Sequence, residues 1–162
     1  MELEIWTDGA CVGNPGPGGY GIILKCLGQK WEKAGGFRLT TNNRMEIMGA
    51  LVALETISEK CKVIIHTDSR YVVDSIMQGW AKVWRSKGWK RRGNKKVPNA
   101  DLWERILQLC AKHDEVEFRW VKGHDNNIEN ERCDQLAESA ARKFNLPVDE
   151  GYTSTGNGET DK

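Results

Sequence analysis

The sequence predicts an α/β fold, a mixed five-stranded sheet with helices on both faces. Three strand-like segments with short connections open the chain, as in an antiparallel meander. Helical segments then alternate with two more strands, the pattern of α-crossovers onto a parallel arrangement. One of those strands, KVIIHTD at 62–68, is almost continuously apolar, as a central strand covered on both faces is.

Each element has its own signal. Residues 2–8 alternate, with Leu3, Ile5 and Thr7 on one face and Glu2, Glu4 and Trp6 on the other. The glycine and proline cluster GACVGNPGPGG reads as a loop or turn. Residues 20–27 and 30–39 read as strands joined by Gly28. A helix spans 43–58, with Asn43 as N-cap and Met45, Met48, Leu51, Val52 and Leu54 buried. A short helix covers 70–78, and the basic, Trp-containing segment after it is partly helical. Asn99 caps a helix that runs through Lys112, with Leu102, Ile106, Leu109 and Cys110 inward. VEFRWVK alternates and forms the last strand. A loop from Gly123 to Asn127 leads into a terminal helix over about 128–144, whose stripe is Cys133, Leu136, Ala137, Ala140, Ala141 and Phe144. From Pro147 the chain is polar, glycine-rich and acidic. The expectation is one catalytic domain over 1–146 and a disordered acidic tail over 147–162.

The bulk composition narrows the function classes. No apolar run approaches the ~20 residues of a membrane span. The N-terminus is an acidic strand rather than a basic-then-apolar leader. The expectation is a cytoplasmic monomer that uses no membrane. Five cysteines without close spacing argue against a disulfide framework or a zinc ribbon. The net charge of +1 conceals a segment at 80–96 that holds eight Lys or Arg and no acid, which suggests a local anionic partner.

Candidate chemistry lies in carboxylates. The first strand ends in TDG and the fourth in TDS, carrying Asp8 and Asp68. If those strands are parallel neighbours, both acids leave the sheet at one edge, where open α/β sheets build sites. Each Asp alone is also an ordinary turn former or cap. Glu46 stands three residues after Asn43, so it fits a capping box as well as a metal site. Asp134 lies at the margin of the last helix's apolar stripe, where a surface ion pair is the plainer reading. His124 is either a solvated loop residue or a proton shuttle near neutral pH. Four converging carboxylates would repel unless cations were present, and oxygen donors suit Mg2+ or Mn2+. A two-ion site suits in-line displacement at a phosphodiester. Trp80, Trp84 and Trp89 interleave with Lys82, Arg85, Lys87, Lys90, Arg91 and Arg92, as in a surface that meets phosphates and sugars. Partial core packing is equally open for Trp80 and Trp84, which are spaced i, i+4.

TDGACVGNPGPGGYG (7–21), TTNNRMEIMGALVALE (40–55), TDSRYV (67–72), VKGH (121–124) and NERCDQLA (130–137) resemble, in order, the motifs of bacterial type 1 ribonucleases H over residues 2–144. The resemblance implies a ribonuclease H-like fold and cleavage of the RNA strand of an RNA–DNA hybrid, leaving 5′-phosphates. It implies that Asp8, Glu46, Asp68 and Asp134 hold Mg2+, with Mn2+ as a substitute and two ions once substrate is bound. It assigns His124 a late role in turnover. It places Cys11, Asn14, Asn42 and Asn43 against the hybrid near the cut. It makes the segment from Trp80 to about Lys96, with Trp84, Arg85, Lys87 and Trp89, a protrusion that grips the DNA strand. Arg70 departs from the pattern, since Gln is expected there. A non-catalytic hybrid-binding module and a DNA endonuclease on a similar fold remain the competing classes. A pure binder gains nothing from clustered acids beside nucleic acid, and the asparagine set and protrusion favour the hybrid nuclease over the DNA endonuclease.

Overall fold

The computed structural model of the chain describes residues 1–123 and 126–155, the last three by backbone alone. Strands β1 (Glu2–Cys11), β2 (Gly16–Cys26) and β3 (Gln29–Thr40) form the antiparallel meander. Helix α1 (Asn42–Thr56) crosses to β4 (Lys62–Thr67), which pairs parallel with β1. Helices α2 (Arg70–Met77) and α3 (Trp80–Ser86) follow. A two-stranded ribbon of β5 (Lys90–Arg91) and β6 (Lys95–Lys96) then precedes α4 (Ala100–Cys110). Strand β7 (Glu115–Trp120) pairs parallel with β4, and α5 (Ile128–Ala141) and α6 (Glu150–Thr155) complete the described chain. The main sheet has the order β3-β2-β1-β4-β7.

Both faces of the sheet are covered, as expected. On one side Ile5, Val63 and Ile65 join Met45, Leu54, Trp103 and Ile106 in the main core beneath α1 and α4. On the other, Trp6 and Ile23 pack against Cys133 of α5. The alternation of β1 therefore separates two buried faces, and Trp6 belongs to the second.

Several boundaries differ from the sequence reading. Most of the glycine cluster is strand, because β1 runs on to Cys11 and β2 begins at Gly16. The physical reason is α5. A Cβ on Gly19 would stand 2.4 Å from the Ala137 carbonyl oxygen, and one on Gly21 2.4 Å from that of Cys133. Bare strand lets the helix sit directly on the sheet. The N-cap of α1 is Thr41, whose hydroxyl accepts from Arg44 N at 3.2 Å, not Asn43. Glu46 is thus no longer at the reciprocal capping-box position. Asn99 does precede α4, but its side chain makes no cap bond and accepts instead from Arg44 Nη1 at 3.3 Å. Helix α5 stops at Ala141, leaving Phe144 at 93% exposure outside its stripe.

The segment after residue 146 is the largest departure. The Pro147 carbonyl accepts from Arg38 N at 2.9 Å, and Asp149 is buried against Arg44. A polar composition predicted disorder there. A buried guanidinium supplies the partner that makes ordering an acid favourable. The rest of the expected tail, from residue 156, lies outside the described residues.

Candidate active site

Strands β1 and β4 pair in register as far as Trp6 and His66. Two residues beyond that pair lie Asp8 and Asp68, at the carboxyl end of the parallel pair. The second turn of α1 delivers Glu46 to the same edge. One carboxylate oxygen from each of Asp8, Glu46 and Asp68 lies within 4.8 Å of the others. Asp8 and Glu46 are buried, and Asp68 is half-buried. Asp134, half-buried on α5, comes within hydrogen-bonding reach of Asp8 but stays outside that tight trio.

These acids strain one another electrostatically. Burial, then the charges of Asp68 and Asp134, pushes the Asp8 carboxyl up to about 8, against the pull of the Gly9 N–H donating to Oδ1 at 2.9 Å. Burial, then the charges of Asp8 and Asp68, raises Glu46 well above the usual carboxylate range. Glu46 Oε1 is buried without a hydrogen-bond partner among the described residues. A buried oxygen lacking a donor, beside two more carboxylates, fits a hard divalent cation bound through oxygen.

The remaining predicted residues surround this centre unevenly. Cys11 is half-buried, with Sγ 3.5 Å from the carbonyl oxygens of Gly16 and Thr40. Burial raises its thiol pKa, which keeps it protonated. Asn14 is exposed, and its Oδ1 accepts from Asn42 N at 3.1 Å, so the β1–β2 turn is tied to the start of α1. Asn43 is half-buried beside it. His124 lies outside the described residues.

The basic segment divides into cationic and structural positions. Trp80 is 43% exposed, whereas Trp84 and Trp89 pack partly against the main core. Trp89 Nε1 donates to Glu104 at 3.1 Å, and Arg85 lies 3.8 Å from the same carboxylate. Trp84 and Trp89 therefore serve the fold through their buried edges, as the i, i+4 spacing left open for Trp84. Lys82, Lys87, Lys90, Arg91 and Arg92 are exposed.

Sequence reasoning missed two sets of neighbours. Trp120 Nε1 donates to the Asp68 carbonyl at 3.1 Å, and the Arg70 guanidinium stacks 4.0 Å over the Trp120 ring. Only the register of β4 with β7 brings Trp120 there. The cluster of buried Arg44 and Asp149 with the exposed Asp101 was also unseen, although a cation inside the buried stripe of α1 signals an acid partner elsewhere in the chain.

A family model described as RNase H matches residues 1–142. The chain belongs to the ribonuclease H family. A curated ribonuclease H from Rippkaea orientalis is 57% identical over 155 residues, spanning 96% of this chain and 94% of the relative. A ribonuclease HI from Synechocystis is 53% identical over 152 residues, spanning 93% and 94%. Among solved structures, a type 1 RNase H with the type 2 active-site motif is similar with a TM-score of 0.75 at 31% identity. That match covers 96% of this chain and 80% of the other. An RNase H1 solved in complex with an RNA/DNA hybrid shares the fold, with a TM-score of 0.64 at 23% identity over 86% of this chain and 96% of the other. The carboxylate centre and the ribonuclease H family agree on the reaction class, hydrolysis of a phosphodiester. No described helix is long and apolar enough to cross a membrane.

Proposed function

We infer that this chain is an endonuclease that hydrolyses the RNA strand of RNA–DNA hybrids, leaving 5′-phosphate and 3′-hydroxyl ends. The observation that carries this reading is the convergence of Asp8, Glu46 and Asp68 at the carboxyl end of β1 and β4, in a chain of the ribonuclease H family.

Asp8, Glu46, Asp68 and Asp134 would hold Mg2+, for which Mn2+ can substitute. Divalent ions in such a site supply an activated water and neutralise charge on the attacking and leaving oxygens. The chain's own residues do the rest. The sheet edge and α1 fix the carboxylates before substrate arrives, so no reorganisation is needed at the moment of reaction. Asn14, Asn42 and Asn43, with Cys11 behind them, form the edge against which the RNA strand lies. Amide groups there can read the 2′-hydroxyl that distinguishes RNA from DNA. Lys87 and Arg85, with Trp80 exposed beside them, meet the DNA backbone, while Trp84 and Trp89 hold that segment in shape. His124 would assist late in turnover, through proton transfer or product release. Contacts to backbone and sugar rather than base edges predict little sequence preference. We further propose that the chain acts as a monomer in the cytoplasm, in keeping with its five free cysteines.

The test is a labelled RNA–DNA hybrid, with duplex RNA, duplex DNA and single-stranded RNA as controls, each in Mg2+ and in chelator. Metal-dependent cutting of the hybrid's RNA strand alone is the expected result. Binding without cutting in both Mg2+ and Mn2+ would leave a binding module. Cutting of duplex DNA would make the chain a DNA endonuclease.

A further inference from the structure

The segment from Leu146 to Tyr152 lies beyond the stretch that the family model matches, yet it is bound into the interior. Its carbonyls at Leu146 and Pro147 accept from Arg38 Nε at 3.0 Å and Arg38 N at 2.9 Å. Asp149 is 2% exposed. Its Oδ2 accepts from Thr40 Oγ1 at 2.7 Å and Arg44 Nε at 2.8 Å, and its Oδ1 from Arg44 Nη2 at 3.1 Å. The Arg44 fork also donates to Asp101 at 3.0 and 2.9 Å and to Asn99 at 3.3 Å. Asn99 Nδ2 donates to the Tyr71 hydroxyl at 3.3 Å.

Arg44 is thus the meeting point of three parts of the substrate surface. It follows Asn42 and Asn43 directly. It reaches Asn99, three residues past the end of the basic segment at Lys96. Through Asn99 it reaches Tyr71, in the first turn of the helix that follows Asp68. The packing over it is tight, because a Cβ on Gly151 would fall 2.0 Å from Asp101 Oδ2 and 2.6 Å from Arg44 Nη2. A planar guanidinium shared by two bidentate carboxylates has little freedom to turn. We propose that the segment Leu146–Tyr152 is a strap that acts through Asp149 on Arg44 as a positioning device. It sets the spacing between the Asn42–Asn43 edge and the basic segment, and hence the grip on the hybrid. This rests on the ribonuclease reading above. The carboxylates of Asp8 and Asp68 are held at the β1–β4 edge, and that of Glu46 by the core packing of its neighbours Met45 and Ile47, so the strap governs binding more than the chemical step.

The experiment compares the full-length chain with Asp149→Asn and Gly151→Ala, the second of which keeps every charge. Leu109→Ala, in the last turn of α4 away from the cluster, serves as a stability-matched control. Steady-state cleavage of the hybrid is measured well below each melting temperature, with hybrid affinity in chelator as a second readout. Both strap variants should raise KM and weaken affinity about tenfold, the scale of a small misplacement of binding groups, with kcat within about twofold. Leu109→Ala should leave KM unchanged. A wild-type KM and affinity in either folded strap variant, or an equal rise in the control, overturns the strap and leaves the nuclease reading standing. A wild-type chain that neither cuts nor binds hybrid overturns both.

Discussion

At the scale of single residues, the centre is built from acids that oppose one another. Asp8→Asn removes one charge and one metal-binding oxygen. It should lower cleavage by roughly 10²–10³-fold while hybrid binding persists, the loss typical of a transition-state electrostatic contact. Retained cleavage would remove Asp8 from the chemistry. The same residue carries a stability prediction. Its carboxyl is raised from 3.8 to about 8 in the folded chain. In that window the folded chain keeps a proton that the unfolded chain has released, so without metal this group's contribution falls as pH rises. In chelator, Asp8→Asn should therefore be as stable as wild type near pH 4. It should gain progressively toward pH 8, by on the order of a few kcal/mol, in urea titrations at each pH. A pH-independent difference would mean that Asp8 titrates in the ordinary range. Adding Mg2+ at pH 8 should raise the wild-type melting temperature more than the variant's.

Between residue and molecule stand the elements, and here the sequence was legible wherever one periodicity ruled. The alternation of β1, the apolar run of β4 and the stripe of α5 all placed their elements, because each has to fit a single face or pair of faces. That the strands carrying Asp8 and Asp68 are parallel neighbours was left conditional by that pattern and is supplied by their register. What stayed hidden depended on partners distant in sequence. The glycines of β2 read as a loop because the helix that requires them to be bare arrives more than a hundred residues later. Asp149 read as part of a solvated tail because nothing near it in sequence marks the pairing with Arg44, 105 positions away. Thr41 took the cap that Asn43 was expected to hold, one of several short polar side chains competing for the same amides. A cap that was not predicted supplies the test at this scale. Asn127 Oδ1 accepts from Asn130 N at 2.8 Å to start α5, the helix bearing Asp134. Asn127→Ala should cost about 1 kcal/mol, seen as a lower urea midpoint at unchanged slope. A midpoint equal to wild type would show that the helix start is held by other means.

For the whole molecule, charge is arranged rather than accumulated. The net charge is +1, yet eight cations crowd into residues 80–96. Neutralising Arg85, Lys87, Arg91 and Arg92 together should weaken hybrid binding. It should also flatten the plot of log affinity against log salt by roughly 3, near 0.7–0.9 for each phosphate that is no longer neutralised. An unchanged slope would mean that the segment does not meet phosphate. The topology has a further consequence, for the order of assembly during synthesis. The ribosome releases β1 first, and the meander can close on itself as soon as β3 emerges. The face of that meander carrying Trp6 and Ile23 has no cover until α5 is made, for the Cys133 thiol that bonds the Trp6 carbonyl is 127 residues downstream. While those 127 residues are made, an indole and an isoleucine stay in view of water and of chaperones.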